Sequence, residues 1–152
     1  MPSATFERTI EVSSSADRCW AVLTDVERVA GWVTIADDVR EHDHLAKYSV
    51  VLADQFGPFS LYADIDVDVT DLEEQRHISF KGKGTDRQGG STIQVQATMA
   101  LEDTGAGTSI TVSGKYSVLG TVATMGSSTI RKKADGILDE FFTAAAKELA
   151  EA

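Results

Sequence analysis

Alternation of apolar and polar residues runs through the middle of this chain and constrains its fold more than any other feature. Residues 59–69 show it most clearly, because every second side chain is apolar and the intervening ones are polar. Residues 93–101 and 110–118 repeat the pattern. A period of two places successive side chains on opposite faces of a β-strand. These segments therefore predict antiparallel strands with one buried face and one face in water.

Shorter segments of the same kind complete the predicted sheet. Residues 5–12 carry apolar side chains on one face and two glutamates on the other, so they predict a half-buried first strand. Further strands are predicted at residues 39–43, 47–54 and 77–82. Short turn-forming motifs separate these segments. They are Gly57-Pro58, Glu73-Glu74, Gly89-Gly90 and Gly105-Ala106-Gly107.

Two short helices are predicted between the first strand and the remaining strands, and one long helix is predicted after the last strand. Serines at residues 13–15 end the first strand and supply a cap for a helix over residues 16–24. A second short helix is predicted over residues 25–30, ended by Gly31. After Gly120, apolar residues recur at steps of three and four, which predicts a long amphipathic helix. They are Ile130, Ala134, Ile137, Leu138, Phe141, Phe142, Ala145 and Leu149. The order of elements predicts an α+β domain whose long helix covers the apolar face of the sheet.

Length, net charge, cysteine content and the distribution of apolar residues exclude several classes of protein. A chain of 152 residues suits a single domain over residues 1–152. The net charge of −10 disfavours nucleic acid as a partner. The single cysteine, Cys19, excludes an internal disulfide and favours a reducing compartment. The sequence lacks both the ~20 continuous apolar residues of a membrane span and a signal-peptide pattern. We therefore expect a cytoplasmic protein with at most peripheral membrane contact.

Local motifs along nearly the whole chain carry a family resemblance. They are Ala16 to Trp20 with Leu23 and Asp25, Gly57-Pro58-Phe59, Gly82-Lys83-Gly84, Gly89-Gly90, Gly107-Thr108, Gly120, Met125-Gly126 and Phe141-Phe142. Through them the chain resembles the carbon monoxide dehydrogenase G-subunit family of the START/Bet v 1-like (SRPBCC) superfamily. The resemblance implies a helix-grip fold, in which a curved seven-stranded antiparallel sheet surrounds the long C-terminal helix and two short helices follow the first strand. The chain departs from the family at Thr34-Ile35-Ala36, where members commonly carry a Pro-Gly pair.

The resemblance also implies a function. Members of the family are accessory proteins of molybdenum-containing hydroxylases, and the shared fold encloses an apolar cavity. The expected role is non-catalytic binding of a lipid-like or quinone-like molecule by a protein that services or recruits a molybdenum hydroxylase. Some members continue into a membrane-anchoring tail, whereas this sequence ends at Ala152. No cofactor and no metal are expected.

The apolar face of the predicted sheet supplies candidate ligand contacts. Because its inner positions carry few polar side chains, the sequence shows no obvious catalytic set. The hydroxyl of Tyr116 is the expected polar handle for a ligand. The predicted ligand-binding residues are Trp32, Leu61, Phe80, Val95, Tyr116, Met125, Ile137 and Phe141.

Two other functions stay open at this point. A cyclase- or hydrolase-like enzyme of the same superfamily would use an inward tyrosine or an acid at the cavity mouth as a general acid, with Tyr48, Tyr116 and Asp54 as candidates. An adaptor would bind a partner enzyme through its outer surface and have a fully packed core. An inward cluster of polar groups would favour the enzyme, and the alternation does not predict one.

Several polar residues suggest chemistry but suit the surface better. Asp64, Asp66 and Asp68 share the polar face of one predicted strand, so we expect them in solvent. His42 and His44 could bind zinc with a nearby aspartate, but they lack a cysteine or a second histidine pair. We therefore interpret both groups as surface residues.

The remaining candidates are a thiol, a basic run and three aromatic side chains. Cys19 lies on the apolar stripe of the first helix, where burial raises the pKa of a thiol and leaves it unreactive. Arg131-Lys132-Lys133 is either a solvated helix face or a site for an acidic partner surface or a lipid headgroup. Trp32, Phe56 and Tyr62 either close the core or line the cavity entrance.

Overall fold

The computed structural model of the protein describes residues 3–56 and 58–150. Seven strands and three α-helices follow one another in this part of the chain, with a short 3₁₀ helix before the last α-helix. The strands are β1 (Ser3–Val12), β2 (Ala36–Asp43), β3 (Lys47–Phe56), β4 (Phe59–Glu73), β5 (His77–Asp86), β6 (Ser91–Asp103) and β7 (Thr108–Gly120). The helices are α1 (Ala16–Leu23), α2 (Val26–Ala30), the 3₁₀ helix (Val122–Met125) and α3 (Ser127–Glu148).

The described strands form one antiparallel sheet in the order β1-β7-β6-β5-β4-β3-β2. Consecutive strands from β2 to β7 are neighbours, and β1 returns to the far edge beside β7. That pairing runs from Ser3 opposite Ser117 to Val12 opposite Thr108. The sheet curves around α3, which packs against its concave face. This arrangement confirms the predicted α+β helix-grip fold.

All seven strands run beyond their predicted ranges, and β4 and β5 extend furthest past their predicted C-terminal ends. β5 continues to Asp86, where it still pairs with Ala63 of β4. β4 continues to Glu73 after a bulge between Val69 and Asp71 that shifts its register against β5. In both cases, backbone hydrogen bonds to a neighbouring strand extend the element where the side chains carry no regular alternation.

The first two helices begin and end close to the predicted residues. α1 follows Ser15, whose side-chain oxygen accepts a hydrogen bond from the backbone N–H of Arg18. α2 ends at Gly31, as predicted. No sequence pattern predicts the 3₁₀ helix. It follows Gly120, whose φ of +93° and close approach to the Gly90 carbonyl require a residue without a side chain.

Two buried clusters fill the space between the sheet and α3. The α1 cluster lies between α1, the C-terminal half of α3 and one end of the sheet, whereas the 3₁₀ cluster lies between the 3₁₀ helix, the N-terminal half of α3 and the other end. The α1 cluster contains Val12, Cys19, Trp20, Val22, Leu23, Ile78, Met99, Leu101, Ile110, Phe142, Ala145 and Leu149. The 3₁₀ cluster contains Ile35, Leu61, Ala63, Ile65, Val118, Val122 and Ile130.

A buried polar seam closes the α1 cluster. Ser14 donates its side-chain hydroxyl to the carbonyl of Leu149 at 2.9 Å. The hydroxyl of Thr108 donates to the carbonyl of Ser14 at 2.8 Å. All three residues are fully buried. The seam therefore ties the end of α3 to the start of β7 and to the turn after β1.

Candidate functional site

An apolar cavity of about 200 Å³ lies between the N-terminal half of α3 and the concave face of the sheet, beside the 3₁₀ cluster. Its walls come from β1, β3, β6, β7, the end of the loop after α2, the 3₁₀ helix and α3. The surface that it offers to a guest molecule is apolar. The lining residues are Phe6, Ile35, Leu52, Ile93, Val95, Tyr116, Val118, Val122, Ile130, Lys133, Ala134, Ile137 and Leu138.

The register of the strands explains the shape of the sheet wall. Val95 on β6 lies opposite Tyr116 on β7 and opposite Gly82 on β5. A Cβ atom at Gly82 would lie 3.1 Å from Cγ2 of Ile65, so glycine there leaves room for the β4 side chains beside Val95. Phe6 lies opposite Gly114, and its ring stacks on that of Tyr116 with centroids 6.5 Å apart. A Cβ atom at Gly114 would come within 2.9 Å of the Phe6 ring, so glycine there lets the ring lie against the sheet.

The helix wall follows from the spacing of apolar residues in α3. Ile130, Ala134 and Ile137 recur at steps of four and three, so they share one face of the helix. Ile130 is buried, whereas Ala134 and Ile137 are partly buried. The small side chain of Ala134 widens the space at the centre of this wall.

An ion pair joins the two walls where the cavity approaches solvent. The Lys133 ammonium donates to the Asp54 carboxylate, with 2.9 Å between Nζ and Oδ2. Asp54 lies on the concave face of β3, opposite Leu61 of β4. The Lys133 side chain is 37 % exposed and that of Asp54 is 32 % exposed. The pair thus places a donor and an acceptor at the mouth of an otherwise apolar space.

The structure places the eight predicted ligand-binding residues in different surroundings. Val95, Tyr116 and Ile137 line the cavity together. Trp32 and Phe141 pack against the α1 cluster, with ring centroids 5.7 Å apart. The other three lie nearer the sheet or the 3₁₀ helix: Leu61 is buried in the 3₁₀ cluster, Met125 packs against that cluster, and Phe80 lies partly buried on the concave face opposite Ala97.

The sequence does not predict most of the cavity wall. Two kinds of signal could have found parts of it. Helical spacing from Ile130 places Lys133 and Ala134 on the apolar face of α3, and strand alternation places Ile93 and Val118 on the face of Val95. The side chains missed are Phe6, Ile35, Leu52, Ile93, Val118, Val122, Ile130, Lys133, Ala134 and Leu138.

The three candidate catalytic groups have separate partners. The Tyr48 hydroxyl accepts a hydrogen bond from the backbone N–H of Leu45 at 2.7 Å, and burial raises the pKa of this phenol. Asp54 pairs with Lys133, and the ring of Tyr116 stacks on Phe6. Tyr48 is not among the cavity-lining residues. These groups therefore do not form a common acid–base site.

The polar surface candidates are held in local contacts. His42 shares a hydrogen bond with Ser49 at 2.6 Å, and His44 pairs with Glu41 at 3.1 Å. Both histidines are exposed and have different partners. Across residues 3–56 and 58–150, no cluster of three or more histidine, cysteine or acidic side chains is arranged to hold a metal ion.

The aspartates of β4 lie on the outer face of the sheet, as predicted. Two Arg87 nitrogens donate to Asp64 at 2.9 Å each, and these bonds lower the pKa of that carboxyl. The same guanidinium stacks 4.0 Å from the ring centre of Tyr62, which is 39 % exposed. Tyr62 thus neither closes the core nor lines the cavity. The side chain of Phe56 lies outside the described part of the structure.

The structure also shows where the thiol of Cys19 and the basic run at residues 131–133 lie. Cys19 is fully buried in the α1 cluster, and burial raises the pKa of its thiol. Within the basic run, Arg131 and Lys132 are exposed, whereas Lys133 lines the cavity because helical spacing turns it toward the sheet. The run is therefore not a uniform solvated face.

A curved antiparallel sheet that holds a long helix over an apolar cavity defines the helix-grip class of proteins. Within that class, the family model of the carbon monoxide dehydrogenase G-subunit (CoxG) matches residues 9–150. The chain belongs to this family. No curated protein matches its sequence.

Solved structures share the fold over nearly the whole chain. A conserved protein from Geobacillus kaustophilus superposes with a TM-score of 0.80 at 19 % identity, covering 97 % of this chain and 96 % of its own. Protein CV1439 from Chromobacterium violaceum gives 0.69 at 13 % identity, covering 97 % and 99 %. The Zhui aromatase/cyclase from Streptomyces sp. R1128 gives 0.66 at 14 % identity, covering 97 % and 92 %. At these identities the similarity concerns the fold alone.

The helices also bear on membrane insertion. Among the described residues, no helix combines the length and the apolar character that crossing a bilayer requires.

Proposed function

We propose that the protein binds a hydrophobic small molecule in its internal cavity without transforming it. The apolar lining of this cavity is the observation that carries the proposal. Burial of apolar surface favours binding by roughly 25 cal/mol per Å², and an apolar wall gives little directional selection. The family and the helix-grip neighbours support a ligand-binding protein of this kind.

The cavity limits how much of a ligand can be enclosed. An engineered apolar cavity of about 150 Å³ accommodates benzene, whereas the pockets that bind drug-sized ligands measure about 300–1,000 Å³. At about 200 Å³, this cavity has room for one or two fused rings or a short alkyl chain. A longer lipid-like or quinone-like molecule would therefore project through the mouth.

We assign the direct ligand contacts to Val95, Tyr116 and Ile137, with Phe6 forming the aromatic wall behind Tyr116. The other predicted residues take supporting positions around these contacts. Trp32, Leu61, Phe80, Met125 and Phe141 would shape the cavity only through the packing of their neighbours.

The wider role that we propose is that of an accessory protein in the cytoplasm. Membership of the CoxG family supports a molybdenum hydroxylase complex as the partner that the protein services or recruits. The acidic charge of −10 supports a protein partner over nucleic acid. Affinity purification from the native host should recover a molybdenum hydroxylase, and its absence under mild cross-linking would contradict this role.

Native mass spectrometry of gently purified protein tests the binding function directly. We expect a stoichiometric apolar molecule that solvent extraction releases and identifies. Val95→Trp should abolish its retention, because the indole would occupy the cavity. Val51→Trp is the matched control, since Val51 lies on the outer face of β3 opposite Asp64. Equal retention by both variants, with unfolding temperatures unchanged, would contradict binding in this cavity.

A further inference from the structure

We propose that the preferred ligand is a compact apolar monocarboxylate whose carboxylate binds the Lys133 ammonium at the cavity mouth. The inference rests on the proposed function and adds the chemical class of the ligand. Lys133 alone carries a charge among the described residues that line the cavity. Its methylene groups belong to the apolar wall, while its ammonium reaches the partly exposed mouth. A ligand with one apolar end and one anionic end matches both parts of this side chain.

The contact with Asp54 shows that the ammonium can hold a carboxylate in this position. The two groups are 2.9 Å apart, and each side chain is about one-third exposed. Partly exposed ion pairs contribute little to the stability of a protein. A ligand carboxylate can therefore join or replace Asp54 beside Lys133 at small cost to the fold. Asp54 would then compete with the ligand carboxylate for Lys133 and weaken its binding.

The charged side chain that lines the cavity is a cation, which favours an anionic over a cationic ligand group. Arg131 and Lys132 precede Lys133, and no acidic residue occurs in α3 before Asp135. Three basic residues near the N-terminal end of a helix are unfavourable to the helix itself, because that end carries the positive pole of its dipole. Asp54 brings one negative charge to this region through its ion pair with Lys133. Because Arg131 and Lys132 are exposed and only Lys133 lines the cavity, the anion contact is assigned to Lys133, and the other two basic residues add only a weak, screened potential.

The size of the cavity limits the size of the apolar part of the ligand. About 200 Å³ accommodates a naphthalene-sized group but not a long acyl chain. The stacked pair of Phe6 and Tyr116 offers a flat aromatic wall to such a ring. We therefore choose 1-naphthoate as the probe, with 1-naphthamide as a neutral compound of nearly the same shape.

Calorimetric titration at pH 7.5 compares the two probes on the wild-type protein and on three variants. We expect the acid to bind at least about tenfold more tightly than the amide, as for a charge-assisted contact. Lys133→Met should remove this preference while keeping the apolar stem of the side chain. Asp54→Asn should strengthen binding of the acid several-fold and leave the amide within about twofold. Lys132→Met, on the exposed side of α3, is the matched control and should change neither affinity by more than about twofold.

The outcomes separate the inference from the proposed function. If the amide and the acid bind equally and Lys133→Met changes neither, the cavity binds apolar molecules but the assignment of a carboxylate is wrong. If neither probe binds and no apolar molecule co-purifies, the proposed function fails as well. Thermal unfolding of each variant checks the fold, and Lys133→Gln replaces Lys133→Met if the latter does not fold. Loss of acid preference in Lys132→Met as strongly as in the Lys133 variant would also overturn the inference, because it would indicate a diffuse charge effect.

Discussion

The two halves of α3 face the same sheet but pack against it in different ways. In the C-terminal half, Phe142 is 4 % exposed and Ala145 is fully buried, as is Leu149 directly after the helix. In the N-terminal half, Ala134 and Ile137 are only partly buried and line a cavity. One helix thus supplies a close-packed core at one end and a binding wall at the other.

The elements that cover each half account for this difference. α1 places Cys19, Trp20 and Leu23 against the C-terminal half, and the buried seam of Ser14 and Thr108 fixes its end. The N-terminal half is covered by the short 3₁₀ helix and by the loop after α2, which supply fewer large side chains. Stability is therefore expected to depend on the α1 cluster, and binding on the region beside the 3₁₀ cluster.

The largest expected effect comes from removing a ring from the α1 cluster. Phe142→Ala should lower the free energy of unfolding by about 3–5 kcal/mol, because it leaves a cavity that the packed surroundings cannot fill. Ile137→Ala should cost at most about 2 kcal/mol, because this side chain is half-buried and already borders free space. Urea unfolding followed by circular dichroism measures both. Equal losses of unfolding free energy in the two variants would show that the two halves of α3 contribute equally to stability.

A pair of alanines on the same helix sharpens the comparison, because the same substitution should have opposite effects. Ala134→Leu places its added atoms in the cavity, so we expect stability to be unchanged or raised by up to about 1 kcal/mol. Ala145→Leu overpacks a fully buried position and should cost about 1–3 kcal/mol. Ala134→Leu should also displace the apolar ligand. Destabilisation by both substitutions would contradict the presence of usable space beside Ala134.

The polar seam is expected to contribute less than the packed rings. Thr108→Val keeps the shape of the side chain but removes the donor to the Ser14 carbonyl, which should cost about 1–2 kcal/mol. Thr111→Val on the outer face breaks a hydrogen bond with Thr9 that lies near solvent, and should cost less than about 0.5 kcal/mol. Thermal unfolding of the two variants compares them. A similar fall in unfolding temperature in both variants would indicate that burial does not increase the contribution of the Thr108 hydrogen bond to stability.

The fold was predictable because its signals are local. Alternation in residues 59–69 fixes one face of β4, and the spacing from Ile130 to Leu149 fixes the covering face of α3. The cavity was less predictable because it depends on which strands become neighbours and on where the helix stands away from the sheet. Val95 and Ile137 could be placed in its lining because periodicity alone gives the faces on which they lie.

Placements that depend on tertiary partners were not predictable in the same way. Trp32 and Phe141 fit the pattern of a cavity lining, but they pack together against the α1 cluster. In the sequence, Lys133 is part of the basic run at residues 131–133, and its charge gives no sign that it lines an apolar cavity. The pairing of Lys133 with Asp54 could not be found without the register of β3, since these residues are far apart in the sequence.

The smallest expected effect is a pH dependence that arises in the α1 cluster. Burial raises the pKa of the Cys19 thiol in the folded protein above that of the unfolded chain, which is about 8.5. The folded state therefore holds this proton more tightly, and the resulting stability is complete below the unfolded pKa and is lost as pH rises toward the folded one. The free energy of unfolding of wild-type protein should fall more steeply above about pH 8.5 than that of Cys19→Ala. Tyr48 is present in both proteins, so its ionisation cancels from the comparison. Urea titrations between about pH 7 and 10 measure the two slopes, and parallel slopes would show that Cys19 is protonated equally in both states.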